Sequence, residues 1–530
     1  MTTFDDQLAA TIAHARRHTL GDLVRRTAGR APDKTAIVYR DLRQSYADLD
    51  ATINRTANAL AERGVVRGDR VALLSHNNYA YVVTCLALAR LGAVTVPVNF
   101  GLGAPEVAFI LEHSGAVGVV VEDVLVPVAA EALETAGLES LKIRGVISTS
   151  ADRPDGWEPF TAWCEHPDAT APDVPIGDDD LLQLIYTSGT EARPKGAMMT
   201  SRNLIAQYVS CIIDGRYSEQ DVEIHALPLF HVAAQHCFLM PGLYVGATNI
   251  VLDGPDPSTV LATVDREQVT KLFCPPTVWI ALLRHPDFEH RDLSSLRKGY
   301  YGASIMPVEV IKELRGRLPH MELFNYYGQT ELSAVALVLP PEDQVRKPGS
   351  AGRPAINVET ILVDEEGRPV PPGVEGELVH RSPHVTAGYW NDAQKTAAAF
   401  RSGWFHSGDL GIMDEDGYIT VVDRKKDMIN TGGENVSSRE VEEVLFQHPA
   451  VSEAAVFGVP HPLWIEAVAA AVVLREGQTV GREELTTFCR DRLAGYKTPK
   501  YCVVVEALPK NASGKILKRD LRVTYAQVSE

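Results

Sequence analysis

The stretch 178–200, DDDLLQLIYTSGTEARPKGAMMT, decides the reading of this chain. Residues 181–186 form a short apolar run that reads as a buried strand. The hydroxyls, glycines and single lysine that follow suit a loop rather than a packed element. Thr187, Ser188 and Thr190 offer hydroxyl donors, and Gly189 lets backbone N–H groups turn toward an anion. Lys195 brings a point charge to the same oxygens. The loop 187–196 therefore predicts a polyphosphate ligand.

Gly189 and Lys195 have the separation of the first glycine and the lysine in a Walker A loop, G-x-x-x-x-G-K-[ST]. Both neighbours speak against that motif. Pro194 stands where a glycine approaches the phosphate, and Gly196 stands where a Mg²⁺-binding Ser or Thr belongs. YTSGTEARPKG instead resembles the phosphate loop of the acyl-adenylate-forming (AMP-binding) superfamily, which includes acyl-CoA synthetases, non-ribosomal adenylation domains and beetle luciferase.

The chain has 530 residues, 45% hydrophobic and 23% charged, which predicts a globular protein of several domains. A net charge of −18 argues against general nucleic-acid binding, so an anionic ligand must meet locally concentrated Lys and Arg. The seven cysteines include no C-x-x-C pair and are odd in number, which speaks against a disulfide framework or a structural zinc site. With Asp5 and Asp6 in place of a basic leader, the expected location is the cytoplasm. Residues 226–252 lack Asp, Glu, Lys and Arg, yet Pro228, Pro241, Gly242 and Gly246 interrupt them; they read as a buried helix followed by a buried strand, not a membrane span.

Strands at 35–40 (TAIVYR), RVALLS, AVTVPVN and AVGVVVE alternate with helices, the first of them opened by Ser45 and carrying Leu49, Ile53, Ala57 and Leu60 on one face. This predicts α/β architecture with parallel sheets: two stacked α/β subdomains, the second opened by the phosphate loop. From about 349 to 422, short strands with Gly and Pro turns predict a small β-barrel-like subdomain. An α+β C-terminal domain follows, which the resemblance implies is mobile and spans 426–530 after an N-terminal domain at 1–425.

GYYGASIMP (299–307) and LFNYYGQTE (323–331) each read as a strand ending in a Gly-bearing loop, where open α/β sheets bind ligands. Gly302, Ala303 and Ser304 leave room for an adenine against backbone; Tyr327, followed by Gly328, offers a stacking face, and Asn325 a partner for an exocyclic amine. Glu331 suits the Mg²⁺ that accompanies ATP, with Thr330 beside it on the phosphates and Thr187 as a second metal contact. Asp409 in WFHSGDLG has two acceptor oxygens for ribose hydroxyls.

The resemblance extends these readings over nearly the whole chain. It implies that Asp409 and Arg424 hold the ribose, that Lys426 is the hinge of the C-terminal domain, and that Gly432 and Gly433 edge the pantetheine tunnel. His231, in the PLFH motif, takes a gating role between acyl pocket and nucleotide, whereas His236 reads as a core residue. Lys515, in the P-K-x-x-x-G-K motif of LPKNASGKILKRDLR, is implied to bridge carboxylate and α-phosphate. The sequence departs from the pattern at Glu191 and Ala192, which replace a common Thr-Gly, at Ser438 for Pro, and at Asn511 for Thr.

These features imply an ATP-dependent carboxylic acid:CoA ligase that uses ATP, Mg²⁺ and coenzyme A. The expected acid is a medium- or long-chain fatty acid, with an aryl (coumarate-like) acid as the alternative substrate and an acyl carrier protein as the alternative acceptor.

Overall fold

The two strands that flank the phosphate loop form the edge of a seven-stranded sheet. The computed structural model describes residues 3–138, 140–148, 155–187, 194–304, 306–424, 427–431, 434–512 and 514–527. Leu181–Thr187 pairs antiparallel with Lys195–Thr200, Thr187 facing Lys195. On its other side runs Val94–Val98, followed by Arg70–Leu74, Gly118–Glu122 and Ile143–Ile147, all parallel. Val94–Val98 and Gly118–Glu122 are buried throughout, as strands covered by helices on both faces must be. Ser45 caps the helix Tyr46–Glu62: its hydroxyl accepts from the Asp48 N–H at 3.1 Å, and the Asp48 carboxylate accepts from the Ser45 N–H at 3.3 Å. Leu49, Ile53, Ala57 and Leu60 are fully buried beneath it.

A second sheet of nine strands has a parallel centre made of Thr248–Val251, Val222–His225, Lys271–Phe273, Lys298–Gly302 and Glu322–Tyr327. Thr35–Tyr39 joins it beside Thr248–Val251, Ile37 facing Asn249. Two expectations are thereby exchanged. The strand at 35–40 belongs to the second sheet, and the phosphate-loop strands belong to the first. A five-residue apolar run specifies a buried strand but carries no information about which distant strand it will pair with.

The stretch 226–252 is buried as expected, but its helix begins as a π-helix, Ala233–Leu239, which continues as Met240–Val245 before the strand Thr248–Val251. The third sheet, Glu359–Val363, Glu375–Arg381, Trp404–Met413, Ile419–Arg424 and Phe400–Arg401, is antiparallel. Among the described residues it stays open, ending on Glu359–Val363. One hydrophobic cluster runs through all three sheets, joining Leu73, Tyr300 and Leu378. The fourth sheet, built on Val451–His461, Ile465–Leu474 and Tyr501–Val504, has clusters of its own with helices Ser438–Phe446, Arg482–Arg490 and Lys518–Thr524. No helix among the described residues is long and apolar enough to cross a membrane.

Candidate active site

The carboxyl ends of the second sheet's parallel strands, the phosphate-loop hairpin, the third sheet and the 511–519 segment enclose a cavity of about 850 Å³. Thr187 and Lys195 line it from the hairpin, and Gly302, Ala303, Gly328, Thr330 and Glu331 from the strand ends. Asp409 and Arg424 enter from the third sheet, His231 from the loop before the π-helix, and Lys515 from the C-terminal segment. Thr187 and Lys515, 328 positions apart in sequence (187 to 515), thus share one space.

Asp409 and Arg424 face each other on neighbouring antiparallel strands, with Arg424 Nε 3.4 Å from Asp409 Oδ1. The other carboxylate oxygen accepts from the Tyr327 hydroxyl at 2.5 Å. Burial, reinforced by that carboxylate, pushes the Tyr327 phenol well above its ordinary range, so it stays a donor. A carboxylate has about four acceptor sites, and these two contacts fix its plane while leaving capacity for a pair of hydroxyls.

Glu331 sits on a short turn, Thr330–Leu332. Its Oε1 accepts from the Tyr389 hydroxyl at 2.8 Å, and the Lys195 ammonium lies 5.4 Å from the centre of the Tyr389 ring. Backbone bonds hold this tyrosine against the hairpin: Met198 N–H donates to Gly388 O at 3.0 Å and Trp390 N–H to Gly196 O at 2.8 Å. Tyr389 therefore couples the phosphate-loop lysine to the carboxylate. Sequence reasoning missed it, although an aromatic between Gly388 and Trp390 in AGYW was a visible signal. Mg²⁺ characteristically takes one or two carboxylates together with substrate phosphates. Glu331, oriented through one oxygen with the hydroxyl of Thr187 in the same cavity, fits that donor set.

Lys515 is held by a tight loop in which its N–H donates to Asn511 Oδ1 at 2.9 Å and its carbonyl accepts from the Asn511 N–H at 2.9 Å. The preceding Gly514 has φ +81°, and a Cβ there would stand 2.8 Å from Thr277 Oγ1, so only glycine fits. The Thr277 hydroxyl donates to the Gly514 carbonyl at 3.0 Å, fastening the loop to the second sheet's unit. Thr277 is a second residue that sequence reasoning missed. Burial and the charge of Lys515 push the His231 imidazole down to about 4, so the ring is neutral near pH 7. Its Nδ1 accepts from the Ala233 N–H at 3.3 Å, which assigns the proton to Nε2.

Some expected residues lie elsewhere. Ser304 is exposed, and Asn325 donates to the Ser350 carbonyl at 3.2 Å; neither they nor Tyr327 are among the residues lining the cavity. Ser188, Gly189, Thr190, Glu191, Ala192, Lys426, Gly432 and Gly433 fall outside the described residues. His236 is a core residue as read, bonded to the Tyr208 hydroxyl at 2.5 Å and to Gln183 Oε1 at 2.7 Å.

Away from the charged groups the cavity wall is apolar and aromatic: Phe230, Cys237, Phe238, Phe273, Ala334 and Val335. Phe238 stacks on Phe273 at 4.2 Å with 13° between planes, and edge-on to Tyr300 at 5.4 Å.

A cavity with lysine, arginine, hydroxyl and carboxylate groups at one end and an aromatic pocket at the other suits an adenylate-forming enzyme. The chain belongs to the AMP-binding enzyme family: residues 24–390 match the AMP-binding enzyme model and residues 440–515 the model of its C-terminal domain. It is an AMP-forming acyl-CoA synthetase, an ATP-dependent ligase of a carboxylic acid and coenzyme A that works with Mg²⁺. It is 40% identical to a feruloyl-CoA synthase from Amycolatopsis, over 96% of this chain and 99% of that relative. It is 35% identical to the long-chain-fatty-acid–CoA ligase FadD13 of Mycobacterium tuberculosis, over 96% and 98%. The solved structure of the anthranilate CoA ligase AuaEII with anthranoyl-AMP superposes with a TM-score of 0.89 at 29% identity, covering 96% of this chain and 97% of that one.

Proposed function

We propose that the acid is an aryl acid, a flat ring on a short carboxylate-bearing arm, and that this enzyme converts it through an aryl-acyl adenylate to the CoA thioester. The observation that carries the reading is the aromatic end of the cavity. Phe238 and Phe273 form one stacked face, and directly behind Phe238 stand Tyr300 and the fully buried Lys271, whose ammonium is 5.3 Å from the Phe238 ring. A ring gains from offset or edge-on contact with such walls. A long aliphatic chain would need depth where a rigid, charged core already stands. The likeness to a feruloyl-CoA synthase supports this alternative over the fatty acid favoured by sequence alone.

In the first half-reaction the acid's carboxylate oxygen attacks the α-phosphorus of ATP, and pyrophosphate leaves. Lys515 bridges the two anions as charge builds, Lys195 and Thr187 hold the departing phosphates, and Asp409 with Arg424 fixes the ribose. Glu331 and Thr187 would hold the Mg²⁺, which would neutralise phosphate charge. Gly302, Ala303 and Gly328 bound the adenine, with Tyr327 holding Asp409 in place beside it. His231, neutral, separates the acyl pocket from the nucleotide without adding charge. In the second, the CoA thiolate attacks the acyl carbonyl and AMP leaves. Between the two, the 426–530 domain turns about Lys426 relative to 1–425, withdrawing Lys515.

A panel of hydroxycinnamic, indole-acetic and benzoic acids against C6 to C16 fatty acids, scored by acyl-CoA mass, tests the substrate class. Aryl acids are expected to exceed the best fatty acid in kcat/KM by about tenfold or more. A preference for C10 to C16 acids overturns the reading, and turnover with a holo-carrier protein but not CoA overturns the acceptor.

A further inference from the structure

Beside the cavity, a buried hydrogen-bond chain crosses from the third sheet to the C-terminal unit. Asp423 precedes Arg424 on the strand Ile419–Arg424, and its Oδ2 accepts from both the N–H and the hydroxyl of Ser438, at 2.8 and 2.7 Å. The Ser438 hydroxyl in turn accepts from Lys518 Nζ at 2.6 Å, and Lys518 pairs with Glu442 at 2.8 Å. Ser438 is 1% exposed, so these bonds are made out of water, where a lost partner is costly. Lys518 stands three residues beyond Lys515. Asp423 and Ser438 flank position 426, so any rotation there changes their separation.

We propose that Ser438 is a positioning residue: it clasps the C-terminal unit in the orientation that carries Lys515 into the cavity, and so favours acyl-AMP formation over the thioester step. The inference rests on the two-conformation reading above and adds to it a residue that biases the balance. Arg439 acts alongside, donating to the Val421 carbonyl and, at 2.6 Å, to the Gly349 carbonyl, so the helix start is already seated on the N-terminal unit. Ser438 contributes the part that reaches Lys518.

Ser438 is the first residue of the helix Ser438–Phe446, a position that accepts proline, and Ser437 before it has φ −70° and ψ 121°, which a following proline tolerates. Ser438→Pro thus removes both donors while preserving the helix start. Ser438→Ala removes the hydroxyl alone, and Ser438→Thr restores it.

The expected result is acyl-AMP formation, followed by pyrophosphate release, slowed about tenfold or more in the Pro variant and about fivefold in the Ala variant, with Thr near wild type. Conversion of supplied acyl-AMP and CoA should be unchanged or faster in all three. Wild-type pyrophosphate release with Ser438→Pro, or equal slowing of both steps, overturns the proposal. A substrate-free measurement separates it from the function reading. Spin labels at the exposed positions Ile356→Cys and Leu463→Cys report the distance between units. Ser438→Pro should add a second distance population, and an unaltered distribution overturns the clasp even where an acid panel has shown the acyl-CoA reading to be wrong.

Discussion

In the proposed mechanism Lys515 is a single charge that serves only one of two steps. Its loop is pinned by Asn511 and by the Thr277 hydroxyl on the Gly514 carbonyl, so the ammonium is delivered by a preorganised element and not by a free tail. Losing one preorganised contact to developing charge costs on the order of 10²–10³ in rate. Lys515→Ala is therefore expected to lose that much in pyrophosphate release while converting supplied acyl-AMP and CoA at close to the wild-type rate. Equal damage in both assays would make Lys515 structural. At this scale the cavity's lining was legible where it comes from a run of neighbours, as in GQTE or SGD. It was not legible where a partner arrives from a distant segment. Tyr389 on Glu331 and Thr277 on Gly514 are each tertiary contacts, and although AGYW marks Tyr389 as an unusual residue, neither local sequence names the distant partner.

Among the elements, the strands Val222–His225 and Lys271–Phe273 carry an ion pair into the centre of the second sheet. Their register sets Glu223 beside Lys271, with Oε2 3.0 Å from Nζ, and the ammonium lies 2.9 Å from the centre of the Tyr217 ring. Glu223 Oε1 is buried without a hydrogen-bond partner. Burial, opposed by Lys271, raises the Glu223 carboxyl to about 7. Removing one member of such a pair costs about 3–5 kcal/mol, because the other charge is left uncompensated. Lys271→Met should lower the thermal midpoint accordingly, and Glu223→Gln combined with Lys271→Met should recover most of it. Since Phe238 packs on the same ammonium, the single variant should also raise the acid's KM with the KM for ATP unchanged. A Lys271→Met enzyme of wild-type stability would show that the pair contributes nothing. Sequence patterning found neither these short strands nor the pair, because a lone Lys or Glu at a strand's edge reads as its solvent boundary. The same blindness exchanged the strand Thr35–Tyr39 and the phosphate hairpin between sheets: local pattern encodes burial, and pairing is decided by the whole assembly.

For the molecule as a whole, acid sensitivity follows from its histidines. His225, His236 and His380 are pushed down to about 3, and His231 and His384 to about 4, burial being the largest cause in each. His18 and His113 move the same way, also through burial. The first five of these rings are neutral in the fold to about pH 4, whereas in the unfolded chain they take up protons below their ordinary 6.5. Between those limits the unfolded state binds more protons, so stability must fall as pH falls, by up to about 1.4 kcal/mol per pH unit for each such proton. Glu223, raised to about 7, works in the opposite sense and offsets about one of them. Depressed carboxylates such as Asp22, held down by Arg17 and Arg25 against the effect of burial, add their loss only at lower pH, around and below 3.8. Urea unfolding at pH 7.5, 6.5, 5.5 and 5.0 should therefore show a steady loss of stability beginning near 6.5, with several protons taken up on unfolding at 5.5. His236→Gln can keep the bonds to Gln183 and Tyr208 without a titrating ring, and it should reduce that uptake by about one proton. A stability flat from 7.5 to 5.0 would mean that these imidazoles are protonated inside the fold. The neutral His231 beside Lys515, and with it the proposed gating role of that ring, would then have to be abandoned.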